Sequence, residues 1–137
     1  MKKTLQAGIA ASREFPIDAS RTIDFMGEDA RVYATPMLVR DIEVTCRDLL
    51  LQHLDPGEDS VGTRVEIDHL AATLLGMKVT ITATLAELKG RAAVFEVSAS
   101  DGVDVVCRGR HGRFIVNVEQ VRQRLKQKQA KARELAA

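Results

Sequence analysis

Glu43, His69 and Thr35 are the residues of this chain whose type and setting suit acid–base or nucleophilic chemistry. Glu43 falls between Val39, four residues before it, and Cys46 and Leu50, three and seven after it, so its carboxylate projects from an apolar helix flank. An unpaired charge there is costly or holds a proton, so a partner is expected. Either an Arg or a backbone N–H ties Glu43 down as a structural carboxylate, or the group is catalytic. His69 follows Val65 and Ile67 at two-residue spacing and so shares their face, toward Glu43 or its symmetry mate. A lone inward His is often a satisfied core residue. Beside a carboxylate it is also a proton carrier, because its unperturbed pKa lies nearest neutrality. Thr35 precedes Pro36 at the start of the helical stretch, at the N-cap. A hydroxyl there caps the helix, and it also stands where free N–H groups and the positive dipole end can hold an acyl oxygen as it becomes negative.

Two further residues belong with these. Gly62 either lets the backbone approach a ligand closely or serves as a plain turn glycine. Arg113, in Gly109-Arg110-His111-Gly112-Arg113, binds phosphate, braces Glu43 or makes a surface salt bridge. A Gly-rich phosphate loop, a GxSxG elbow, an HExxH pattern and a Cys/His ligand spacing are all missing, and His53, His69 and His111 are too dispersed to argue for zinc. Nothing in the sequence requires a cofactor or a metal.

The elements that must position these groups follow from periodicity. From Pro36 to Leu54, apolar residues recur at three- and four-residue intervals, with Leu38, Ile42 and Leu49 in one row and Val39, Cys46 and Leu50 in another. Met37, Val44 and Leu51 form a further row, which leaves narrow polar strips at Arg40/Arg47 and Asp41/Asp48. The spacing predicts a surrounded helix with Thr35 at its N-cap, Pro36 at its first position and an end before Asp55-Pro56-Gly57. After Gly57 the period becomes two. Met77, Val79, Ile81, Ala83 and Leu85 alternate with polar residues, Gly90 turns the chain into Ala92–Ser100, and Asp101-Gly102 turns it into Val103–Val116. An early strand ending about Ile17 and an irregular connection from Asp18 to Arg31 complete the order. The expectation is one α+β domain over 1–137, an antiparallel curved sheet wrapped around a long central helix, with a basic C-terminal helix or tail at about 118–137.

Composition narrows the function classes. The 137 residues carry 20 Lys and Arg against 19 Asp and Glu, a net charge of +1, which gives no global case for nucleic acid or an anionic membrane. The tail is the local exception: Arg122, Arg124, Lys126, Lys128, Lys131 and Arg133 face no acid within that run, as a solvated helix or as a contact for the phosphates of a nucleotide-bearing ligand. Cys46 and Cys107 sit in apolar segments, which predicts buried free thiols and a reducing, cytoplasmic setting. No apolar run reaches eighteen residues, which argues against a membrane-spanning helix, and the start of the chain is too short and polar for a signal peptide.

From about Val32 to Lys128 the chain resembles the fluoroacetyl-CoA thioesterase family of hotdog proteins. The resemblance rests on five groups of residues in register: Ala34-Thr35 leading to Glu43; Leu54-Asp55-Pro56-Gly57-Glu58 with Ser60-Val61-Gly62-Thr63; His69-Leu70-Ala71-Ala72-Thr73; Ser98-Ala99-Ser100-Asp101-Gly102-Val103-Asp104; and Gly109-Arg110-His111-Gly112-Arg113. It implies hydrolysis of a short acyl-CoA thioester by a homodimer, with CoA present only as part of the substrate. Thr35, Glu43 and His69 match the family's active-site Thr, Glu and His, while Gly62 and Arg113 match a glycine lining the site and an arginine near it. Thr35 would polarise the carbonyl, Glu43 act as nucleophile or as base toward water, and His69 relay protons. Two departures bear on selectivity. The fluoroacetate-selective member gates its pocket with a phenylalanine where this chain has Asp29, and it has glycine where this chain has Pro36, so fluoroacetate selectivity is not expected here. The competing readings are a non-catalytic acyl-CoA-binding or regulatory hotdog protein, and a hotdog hydratase or dehydratase.

Overall fold

The computed structural model describes residues 1–136. Its centre is helix α1, Thr35–Leu51, on which Leu38, Ile42, Cys46, Leu49 and Leu50 are all buried. Burying each such aliphatic side chain is worth about 1.5–3 kcal/mol, and their three- and four-residue spacing turns them together into the sheet. The helix begins one residue earlier than the spacing predicts, with Ala34 at the N-cap, Thr35 as first helical residue and no side-chain cap. Thr35 is therefore not the cap: its hydroxyl is engaged elsewhere, and Met37 and Leu38 both donate to the Ala34 carbonyl instead. The helix also stops at Leu51 rather than Leu54, where Gln52 and a pair of turn hydrogen bonds, His53 to Leu50 and Leu54 to Leu51, lead into Gly57.

The sheet has five antiparallel strands: β1 Ala10–Pro16, β4 Glu58–His69, β5 Lys78–Lys89, β6 Ala92–Ser100 and β7 Val105–Asn117, in the order β1-β5-β6-β7-β4. The connection expected to be irregular contains one short strand, β2 Thr22–Ile23, which pairs with β3 Val32–Tyr33 just beyond its end. Strict alternation builds the inner face: Val79, Ile81, Ala83 and Leu85 on β5, and Ala93, Phe95, Val97 and Ala99 on β6, are all buried. Gly90, at φ +60°, makes the β5–β6 turn at a backbone angle that a side chain would strain. Helix and sheet together form the hotdog architecture, with β4 at the edge nearest the functional groups.

Strand β4 departs from plain alternation. Its register against β7 shifts between Gly62 and Arg64, and the stretch from Val61 to Glu66 is exposed, Val65 included. Helix α2, Val118–Ala136, starts with the Asn117 side chain accepting from the Gln120 N–H and buries no residue. Cys46 and Cys107 are both free and buried, and burial pushes their thiols up to about 12 and about 11. No described helix is long and apolar enough to cross a membrane.

Candidate active site

The N-terminal end of α1 brings two of the expected residues together. Thr35 Oγ1 and His69 Nδ1 are 2.8 Å apart, joining the first residue of the helix to the last residue of β4. The Tyr33 ring meets the His69 imidazole edge-on, with centroids 6.3 Å apart and planes at 80°. His69 Nε2 is buried and has no hydrogen-bond partner among the described residues. Burial holds the imidazole below its usual pKa, so the ring is neutral at neutral pH. One nitrogen then carries the proton and the other a lone pair, which suits the ring to pass a proton between Thr35 and a group at Nε2. Pro36 has no N–H, and Met37 and Leu38 are satisfied by Ala34. Among the described residues the Thr35 N–H is left as the free donor of this turn, next to its own hydroxyl.

A second cluster forms two turns along α1. Arg113, only 4% exposed, donates from Nη1 to Glu43 Oε2 at 3.3 Å, from Nε to Ser60 Oγ at 2.7 Å and from Nη2 to the Ser60 carbonyl at 2.9 Å. Of the roles open to Arg113 in sequence, the structure shows the brace on Glu43. Gly62 faces the same carboxylate: a Cβ built on it would lie 2.7 Å from Glu43 Oε2 and 3.4 Å from His111 Cε1. Only glycine lets β4 run this close to the acid. Arg40, Glu43, Val44, Arg47 and Arg113 line a cavity of about 220 Å³, into which the half-exposed Glu43 opens.

The two clusters lie apart within one chain. Thr35 and Glu43 are eight positions apart on the helix, about 12 Å along its axis at 1.5 Å per residue. His69 thus meets Thr35, and Glu43 of its own chain is held by Arg113 instead. Two features were missed by sequence reasoning. Asp41, assigned to a polar strip, is fully buried, accepting from Tyr33 Oη at 2.5 Å and from Arg21 Nε at 3.0 Å. His111, also fully buried, touches Arg113. The signal for His111 was present: it shares a period of two with Arg113 and Ile115, and Ile115 is a core residue. Asp41 gave no such signal, because its partners come from segments with no regular period. Among the described residues no group of three or more His, Cys, Asp or Glu is arranged to hold a metal ion.

Comparison with known proteins places this chain in a family. The family model described as fluoroacetyl-CoA-specific thioesterase matches residues 17–119. A fluoroacetyl-CoA thioesterase from Streptantibioticus cattleyicolor is 33% identical over 135 residues, covering 93% of this chain and 97% of the relative. Among solved structures, a fluoroacetyl-CoA thioesterase superposes with a TM-score of 0.84 at 31% identity, over 92% of this chain and 98% of its own. A thioesterase superfamily member from Thermus thermophilus gives 0.85 at 28% identity, over 98% and 99%. With the family model spanning most of the chain and the curated relative matching nearly end to end, this chain belongs to the fluoroacetyl-CoA-specific thioesterase family, thioesterases of the hotdog fold.

Proposed function

We propose that the chain hydrolyses a short acyl-CoA thioester to the free acid and CoA, as a homodimer whose site combines Thr35 and His69 of one protomer with Glu43 of the partner subunit. The observation that carries this reading is the division of the functional groups. Among the described residues, His69 Nε2 is buried without a partner at one end of α1, while Glu43 Oε1 accepts no hydrogen bond about 12 Å further along. A twofold mate with its helix antiparallel would bring each unfinished half against the other's complement. It would also cover the exposed edge of β4, whose unpaired backbone groups invite another strand.

In such a site the Thr35 hydroxyl and N–H polarise the thioester carbonyl at the positive end of α1. The Glu43 carboxylate either takes a proton from the attacking water or itself attacks the carbonyl carbon, forming an acyl anhydride that water then hydrolyses to release the acid and restore the carboxylate. Both routes break the same C–S bond, and neutral His69 passes the proton the departing CoA thiolate requires. Gly62 supports this role by admitting the carboxylate at close range, and Arg113 by bracing it. CoA enters as the leaving half of the substrate, and the mechanism draws on no cofactor.

The acyl group need not be fluoroacetyl. Asp29, exposed in the 3-10 turn Glu28–Ala30, stands where the resemblance places a gating phenylalanine, so an apolar gate is missing at that position. The direct test is thiol release from short, branched, aromatic and halogenated acyl-CoAs by the wild type beside Glu43→Gln and His69→Ala, each checked for folding. Turnover of one panel member that collapses in both variants supports the proposal. Ligand binding with no turnover anywhere would instead make this an acyl-CoA-binding protein.

A further inference from the structure

His111 is a buried titratable group beside the site that the reaction above does not use, and its hydrogen bonds admit a single protonation state. Its Nδ1 lies 2.8 Å from the Arg64 carbonyl oxygen, which can only accept. Its Nε2 lies 3.1 Å from Arg113 Nη1, and a guanidinium can only donate. Nδ1 therefore carries the proton and Nε2 the lone pair, in a neutral ring. The Arg64 carbonyl lies where the β4 register shifts against β7, beside the glycine that admits Glu43.

Four of the five N–H hydrogens of Arg113 are thereby committed. Nε and Nη2 are spent on Ser60, and the two hydrogens of Nη1 divide between His111 Nε2 and Glu43 Oε2. Remove the lone pair of His111 and one of those hydrogens is left buried without an acceptor, so the guanidinium must turn and its contact with Glu43 goes with it. We propose that His111 is a positioning residue for the thioesterase reaction: through Arg113 it directs Nη1 to Glu43 Oε2 and so leaves Oε1 of that carboxylate free for the reacting atoms. This rests on the thioesterase reading above.

The proposal has a consequence for protonation. Facing the His111 ring are Arg113 on its own strand, Glu43 from α1, the Arg64 carbonyl from β4 and apolar Phe95, its cross-strand partner on β6. Burial is the main influence holding its pKa below the usual value; Arg113 adds to it, while the Arg64 carbonyl and Glu43 oppose it. A proton forced onto Nε2 would set two cations 3.1 Å apart and drive Arg113 away from Glu43.

The experiment uses the full-length protein. Imidazole 15N NMR should show His111 neutral with its proton on Nδ1 across about pH 7 to 8, since its pKa is lowered from about 6.5. A proton on Nε2, or a charged ring in that range, overturns the proposal. With a thioester that the wild type turns over, folded His111→Leu should lose about tenfold in kcat with KM changed by less than about twofold. His111→Gln, whose amide can donate to Arg64 and accept from Arg113, should recover to within about threefold of wild type. Wild-type kcat in folded His111→Leu overturns the proposal. Should His111→Leu not fold, His111→Gln decides through its pH profile: with His69 left as the titrating imidazole its kcat should fall less steeply at acid pH than that of the wild type, and an unchanged acid limb overturns the proposal. The two failures are separable, because a wild type that releases no thiol sinks the hydrolase reading, whereas a wild-type rate without the imidazole sinks the role of His111 alone.

Discussion

Gly62 and Glu43 approach so closely that a Cβ on the glycine would stand 2.7 Å from Glu43 Oε2. The contact is with the far end of a flexible, half-exposed side chain, so Gly62→Ala can be accommodated by swinging the carboxylate aside. The variant should fold with a stability loss within about 1 kcal/mol, yet lose about tenfold or more in kcat because the carboxylate is no longer where the backbone held it. Urea unfolding beside thiol-release kinetics checks both halves. A folded Gly62→Ala with unchanged kcat would mean that the position of Glu43 does not matter to the reaction.

The separation of Thr35 and His69 from Glu43 leads to a test by mixing. Neither His69→Ala nor Glu43→Gln should turn over thioester alone. Unfolded together and refolded, half of the dimers would be mixed, and each of these would hold one site with both native groups, so about a quarter of wild-type activity should return. If Glu43 acted on the His69 of its own chain, no mixture would recover any. Sedimentation or light scattering on the same samples reports whether dimers formed.

The division between what the sequence disclosed and what it hid has a physical basis. Central helix, meander and inward face of β5 were legible because burial there follows one period over many residues, as Val79, Ile81, Ala83 and Leu85 show. Glu43 and His69 stood out as polar groups on apolar faces, and Thr35 as a hydroxyl at the start of the helix. Their mutual placement was not legible: β4 shifts register between Gly62 and Arg64, which no alternation encodes, and His69 pairs with Thr35 while Glu43 goes to Arg113. The hydroxyl of Thr35 was expected to cap the helix and is spent on His69 instead. Asp41 lay hidden because its partners, Arg21 just before β2 and Tyr33 in β3, belong to a short two-stranded pairing with no pattern of its own.

The depressed pKa values of His69 and His111 set the response to acid. Burial is the leading cause for both, so the unfolded chain binds their protons at a higher pH than the folded one does. Their contribution to stability is complete above about pH 6.5 and is lost as pH falls from there toward their folded values. Asp59 acts in a lower window: Arg47 chiefly lowers its pKa, so its contribution is present above about pH 3.9 and is lost as pH falls through its folded value. The urea midpoint should therefore decline in two stages, and His111→Gln should flatten the first while leaving the second. For turnover, the acid limb of kcat/KM should have its midpoint below about 6.5.

The Asp41 network separates stability from catalysis. Asp41 is fully buried and accepts from Tyr33 and Arg21, and burial, reinforced by this carboxylate, pushes the Tyr33 hydroxyl far above its usual pKa. Asp41→Ala strands both donors. A broken buried ion pair costs about 3–5 kcal/mol, but the Arg21 side chain is 17% exposed and can turn partly to water, so a loss of about 2–3 kcal/mol is expected. The control is Asp48→Ala, which breaks the solvent-screened pair with Arg13 and should cost less than about 1 kcal/mol. Tyr33→Phe removes only the hydroxyl, worth about 1–2 kcal/mol, and keeps the ring edge that packs on His69. Its kcat should stay within about twofold of wild type while its urea midpoint falls. If kcat fell with the hydroxyl, Asp41 would be acting on His69 through Tyr33 and not merely holding up the floor beneath it.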